Sequence, residues 1–169
     1  VEEALWVDAD GERIFVRALG HITAAHCPEL KTRCFARLDK PAPVLAILLD
    51  LSACEYMDST FLGLIVGLTK RIMAKSGKKL SIIGVNEACL SLLRTIGVLG
   101  LVELLPASPL PFPPSLERVG RGVVATAEFL LDAHEELSNL SQENRAKFNA
   151  LTSMLKESLR SPEGSEGKR

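Results

Sequence analysis

The sequence has no excess of either charge. Its 169 residues hold 20 Lys+Arg against 21 Asp+Glu, and the balance is flat along the chain: 12 and 12 in residues 1–105, 8 and 9 in residues 106–169. Nucleic-acid binders take their affinity from phosphate neutralisation, so no nucleic-acid partner is expected. Long apolar runs are missing too. The longest, Val44–Leu49, is six residues, far short of the ~20 needed to cross a bilayer, so direct membrane insertion is not expected. The stretch opens at Val1 rather than Met and without a basic-then-apolar signal segment, and is read as trimmed or as part of a longer protein. The four cysteines, at 27, 34, 54 and 89, form no C-x-x-C pair, and His21, His26 and His134 do not cluster. Zinc sites want closely spaced ligand pairs, so neither a metal nor another cofactor is expected. The cysteines read as reduced, small apolar side chains of a cytoplasmic protein. There is no G-x-G-x-x-G, no G-x-x-x-x-G-K-[ST] and no H-E-x-x-H. Nothing nominates an enzyme.

What is present is a normal globular balance, 47% hydrophobic and 24% charged. Strand and helix signals alternate through residues 4–105. Leu5-Trp6-Val7, a turn at Asp10-Gly11 and the alternating Arg13–Leu19 read as a hairpin. Pro28 suits the first turn of a helix whose Leu30, Cys34, Phe35 and Leu38 share one face, stopped by Pro41 and Pro43. Val44–Leu49 reads as a strand covered on both faces, ending at Asp50. A long helix follows from Ser59 to about Ser76, then a strand over Lys79–Val85, a helix Glu87–Ile96 capped by Asn86 and closed by Gly97, and a strand Leu101–Leu105. The order β-β-α-β-α-β-α-β implies an α/β fold, a mixed sheet packed with helices.

Residues 106–115 (PASPLPFPPS) hold five prolines in ten positions, the mark of a semi-rigid extended linker. Beyond it, Val119, Val123, Ala127, Leu130 and Leu137 lie near heptad spacing, as do Phe148, Leu151 and Leu155, interrupted by the polar Ser138–Asn144. The four parts are then a domain at 1–105, a linker at 106–115, a helical extension at 116–160 and a disordered tail at 161–169. The extension is either a hairpin or one long arm. Its stripe is too narrow for an independent core and needs a partner. With the linker holding it away from the domain, a homodimer through 116–160 is expected, with folding back onto the domain as the alternative.

Leu51–Leu68 (LSACEYMDSTFLGLIVGL) is the segment where function could sit. Ser59 suits the N-cap of the long helix, with Asp58 near its positive end. Phe61, Leu62, Ile65, Val66, Leu68, Ile72 and Met73 share one arc toward the sheet; Thr60, Gly63, Gly67, Lys70, Arg71 and Ala74 share the other. Each interior glycine costs up to ~1 kcal/mol against alanine, so the strip has a use. Either a neighbouring helix packs on it, or it is an exposed docking face with Ser59 at its rim. In the second case a phosphate on Ser59 would bring nearly two negative charges to that face.

These residues resemble the STAS domain, the module of anti-sigma factor antagonists and of the cytosolic tails of sulfate transporters. The resemblance rests on Asp50-Leu51-Ser52, Met57-Asp58-Ser59-Thr60, Leu62-Gly63 and Gly67, together with Gly20, Ile22-Thr23, Pro28-Glu29-Leu30 and Gly84 before Asn86. It covers residues 4–105. It implies a signalling role in transcription regulation by partner switching, with Ser59, or else Thr60, phosphorylated by a serine kinase-type anti-sigma factor. Asp58, Ser59, Thr60, Gly63, Gly67, Lys70, Arg71 and Thr23 would form the partner-binding face. Phe61 stands where the family commonly has glycine, and Thr23 where it commonly has aspartate. Two alternatives remain: a cytosolic STAS-like subunit of a membrane transport complex, and a nucleotide or small-ligand sensor using the helix N-terminus.

Overall fold

The computed structural model describes residues 2–107, 112–121 and 124–160. Val123 of the expected stripe, part of the proline-rich linker and the tail at 161–169 lie outside the described residues.

The alternating start folds as expected: β1 (Ala4–Asp8) pairs antiparallel with β2 (Arg13–Ile22). Ile14, Val16, Ala18 and Ile22 point into the core, while Phe15, Arg17 and Leu19 take the other face. Helix α1 (Cys27–Asp39) has Pro28 in its first turn and buries Leu30, Cys34 and Leu38. It also buries Arg37, whose guanidinium donates to the carbonyls of Gly11, Ala42 and Pro43, so the charge enters the interior with its donors satisfied. Helix α2 (Ser59–Ser76) ends at Gly77 and α3 (Glu87–Ile96) at Gly97, both left-handed as a glycine stop requires.

Strand β3 departs from expectation. It runs Ala46–Met57, seven residues past Asp50. β2 keeps pairing beside it as far as Ile22↔Met57, through two register shifts, whereas β4 (Leu80–Ile83) pairs only with Leu48, Leu49 and Asp50. The second half of β3 therefore has one partner and exposes Ser52, Ala53, Glu55 and Tyr56, which is why its polar residues read as a loop. With β5 (Val102–Leu105) the parallel part is complete.

The proline-rich segment does not hold the C-terminal part away. Phe112 lies edge-on to Phe15, 5.2 Å between centroids, and beneath the Arg17 guanidinium, on the sheet face opposite the core. The Ser115 hydroxyl donates to the Asp8 carboxylate at 2.6 Å, and β6 (Glu117–Arg118) pairs antiparallel with β1. The sheet order is β5-β4-β3-β2-β1-β6, so the chain has crossed the sheet from one edge to the other. Helices α4 (Ala127–Ser138) and α5 (Gln142–Arg160) then form a hairpin, the first of the two readings of the extension. It folds back: Leu137 and Phe148 join the domain's core cluster. The premise of the expected dimer, an apolar stripe without a partner in its own chain, does not hold.

Candidate functional site

The site begins where β2 and β3 end together. The Asp58 amide donates to the Ile22 carbonyl at 3.0 Å. Asp58, in extended conformation, is the N-cap of α2: one carboxylate oxygen accepts from the Phe61 amide at 2.9 Å, the other from the Ala24 amide at 2.8 Å. One carboxylate thus caps the helix, complements its dipole and pins the β2–α1 loop. Ser59, expected as the cap, is the first helical residue instead. Both residue types cap well, and only the second oxygen of an aspartate can also reach Ala24.

Thr23 sits beside this junction. Its amide donates to His26 Nδ1 at 3.2 Å, which leaves the proton on Nε2, a buried nitrogen with no hydrogen-bond partner among the described residues. Burial, then the nearby Arg121, holds the His26 pKa below its ordinary value, against the opposing pull of Thr23, Glu3 and Asp58. Burial likewise pushes the Cys34 thiol up to about 12 and the Cys27 thiol higher, with Asp58 adding to the second. All four cysteines are buried and free.

Ser59 is half-buried, and its hydroxyl lies 2.8 Å from His134 Nε2 of α4. His134 Nδ1 is 2.7 Å from the Leu130 carbonyl, which can only accept, so Nδ1 carries the proton and Ser59 donates to Nε2. The ring is 3% exposed and packs edge-on against Phe148. A hydroxyl paired with an oriented imidazole has the geometry of a nucleophile and its base. A groove of about 370 Å³ runs between α1, α2 and α4, but Ser59 is not among its lining residues, so no substrate space adjoins the hydroxyl there.

The glycine strip is occupied. Gly63 is buried, and a Cβ there would collide with the Ala133 carbonyl of α4. Thr60 is 4% exposed and faces inward, unlike the outward arc expected for it. Gly67 would meet only the Phe35 ring, at 3.8 Å. Gly67, Lys70 and Arg71 line the groove with Lys31, Phe129 and Asp132. Lys70 pairs with Glu136 at 3.2 Å and Lys31 with Asp132 at 3.5 Å, while Arg71 stacks on Phe35 and pairs with Asp39. Of the expected face, Thr23, Asp58 and Ser59 come together at the helix N-terminus, and Gly67, Lys70 and Arg71 stay accessible at the other end. Thr60 and Gly63 are sealed between them. Sequence reasoning missed His134 and Ala133. Only their adjacency in the apolar repeat of α4 hinted that a small residue and a polar one shared its buried face. Among the described residues no His, Cys, Asp or Glu cluster could hold a metal ion.

A family profile described as "Mlab, STAS domain" matches residues 5–105. The solved structure of the anti-sigma factor antagonist SpoIIAA in its unphosphorylated form is similar, with 13% identity and a TM-score of 0.55, over 63% of this chain and 90% of that one. A Thermotoga maritima protein assigned as an anti-sigma factor antagonist is similar at 21% identity and TM-score 0.51, over 61% and 86%. At these identities the likeness speaks for the fold. No curated protein matches. All of these comparisons stop short of α4 and α5 or leave more than a third of the chain uncovered.

Proposed function

Because the chain belongs to the STAS domain family, we propose that it is a regulatory protein-binding module of the anti-sigma-factor-antagonist kind, acting by binding rather than by catalysis and switched by phosphorylation at Ser59. The observation that carries this reading is the build of the α2 N-terminus. Asp58 spends both carboxylate oxygens on backbone amides, so within the first turn of α2 Ser59 is left as the half-exposed hydroxyl at the rim of the helix. Thr60, the alternative acceptor, is 4% exposed, which supports Ser59 over it. The partner is a serine kinase-type anti-sigma factor or a related regulator, and the setting is the cytoplasm. No helix among the described residues is long and apolar enough to cross a membrane.

The second reading, a STAS-like subunit docking on a membrane transport complex, has one observation in its favour. The Ser59 hydroxyl is bonded inside the chain, and docking without phosphorylation would leave that bond alone. A tagged full-length chain and its Ser59→Asp variant, recovered from cells that express it and mapped by mass spectrometry, separate the two. The switch requires phosphate on Ser59 and a kinase partner retained by wild type but lost by Ser59→Asp. A transport ATPase held equally by both, with Ser59 unmodified, would establish the second reading.

A further inference from the structure

The face of α2 from Ser59 to Gly63 already has an occupant, the chain's own α4, whose Glu136 also reaches Lys70. We propose that the α4–α5 hairpin is a detachable cover over Ser59, and that a seated α4 and a phosphate on Ser59 exclude each other. This rests on Ser59 being the switch residue proposed above.

The first reason is space. The hydroxyl oxygen touches His134 Nε2 at 2.8 Å, and a phosphoryl group would have to set a phosphorus and three oxygens in that gap. One turn further on, backbone meets backbone at Gly63 and Ala133, so α4 cannot rise slightly at one end and stay seated at the other. The second reason is charge. Helix α4 carries Glu128, Asp132, Glu135 and Glu136 and no Lys or Arg, while Asp58 lies on the other side of the hydroxyl. Nearly two added negative charges are drawn to the positive end of α2 but repelled by Asp58 and by the acidic α4, so the phosphate favours α2 without α4 seated on it. His134 is the side chain of α4 that meets the hydroxyl. Its other nitrogen is held by the Leu130 carbonyl and its ring by Phe148, so it has no room to step back from a phosphate.

The third reason is how the hairpin is attached. Much of its hold on the domain is directional: the His134–Ser59 hydrogen bond, the Lys70–Glu136 and Lys31–Asp132 pairs, and the Asn144 amide donating to the Ile96 carbonyl. Its fully buried apolar contribution is small beside that of the sheet and α2. Such a unit can open while the rest stays folded. A kinase then reaches Ser59 only in the open form, and the phosphate it leaves keeps the cover off.

Hydrogen exchange read by mass spectrometry on the full chain tests this without any partner. Three forms are compared: wild type, the chain with phosphoserine installed at 59, and Gly63→Ala, which unseats α4 by a methyl group and adds no charge. Peptides from 127–160 should exchange at least about tenfold faster in both altered forms, with β1–β4 peptides unchanged. Unchanged protection of α4 in the phosphoserine form overturns the proposal. So does loss of protection in hairpin and sheet together in both forms, since the hairpin is then a fixed part of the core. Release of α4 with no kinase partner found would stand against the function proposed above and leave the cover intact.

Discussion

Helices α1 and α3 lie against the sheet, and the α4–α5 hairpin lies against α2; the two layers are held by different forces. α1 and α3 are seated by Leu30, Cys34 and Leu38, and by Cys89, Leu93 and Ile96, all 6% exposed or less. The hairpin buries Ala133, Leu137, Phe148 and Leu155 but leans on polar contacts at the seam with α2. Apolar burial is non-directional and survives small displacements. A hydrogen bond or ion pair does not, and one new charge can reverse it. On the cover proposed above, the first layer carries the fold, while the second, though Leu137 and Phe148 reach the core, responds to chemistry at Ser59.

The sharpest way to break this comparison uses one leucine from each layer. Leu30→Ala in α1 and Leu137→Ala in α4 both empty a fully buried site, and each should cost about 2–5 kcal/mol where it acts. In urea melts Leu30→Ala should lower the midpoint of the whole chain. Leu137→Ala should instead show as early loss of hairpin protection, with the sheet transition near its wild-type midpoint. Equal midpoint shifts would mean that the two layers melt as one.

Asn144→Ala comes next. Its buried amide nitrogen donates to the carbonyls of Ile96, at the end of α3, and Leu137, at the end of α4. Removing it takes the donor from the Ile96 carbonyl in the interior, at about 1–3 kcal/mol for a group left unpaired, while the Leu137 carbonyl still accepts from the Leu140 amide at 3.1 Å. The loss should appear in the hairpin and the last turn of α3. Hydrogen exchange confined to those segments is the expected pattern.

The two layers also differ in how far the sequence disclosed them. Through residue 105, apolar spacing met capping chemistry at nearly every boundary: Asn86 and Gly97 bracket α3, and Gly77 ends α2, where they were expected. The exception was β3, whose exposed second half is strand only because β2 runs alongside it. After 105 the sequence showed a stripe and a break but not what the stripe meets. Proline content was read as separation, whereas Phe112 and β6 tie the segment to the sheet. The Ser59 region was legible as a motif. Its bond to His134, 75 residues away, was not, because no local pattern encodes a pairing created by fold-back.

A pH titration sharpens the comparison from the domain side. The depressed pKa of buried His26 means that the unfolded chain binds the extra proton more readily. Its contribution to stability is therefore complete above the ordinary value of 6.5 and is lost as pH falls below it. Wild type should lose melting temperature from pH 7 toward pH 5 more steeply than His26→Gln. Parallel curves would show that His26 is not the group responsible.

The smallest effect expected is at the rim of the seam. Lys70 and Glu136 join α2 to α4 at 3.2 Å, but their side chains are 47% and 29% exposed, so water and salt weaken the pair. Such a pair is worth about 0–1 kcal/mol, and Lys70→Ala should leave the global midpoint unchanged within error. On the cover proposal, hairpin opening is a smaller free-energy step than global unfolding, so the same loss is visible there: α4 amides should exchange up to about fivefold faster at low salt. In 1 M salt, where the screening length falls to about 3 Å, variant and wild type should converge. A difference that persists in high salt would place the contribution of Lys70 in its aliphatic stem lying along the groove, and would make the seam more apolar than its ion pairs suggest.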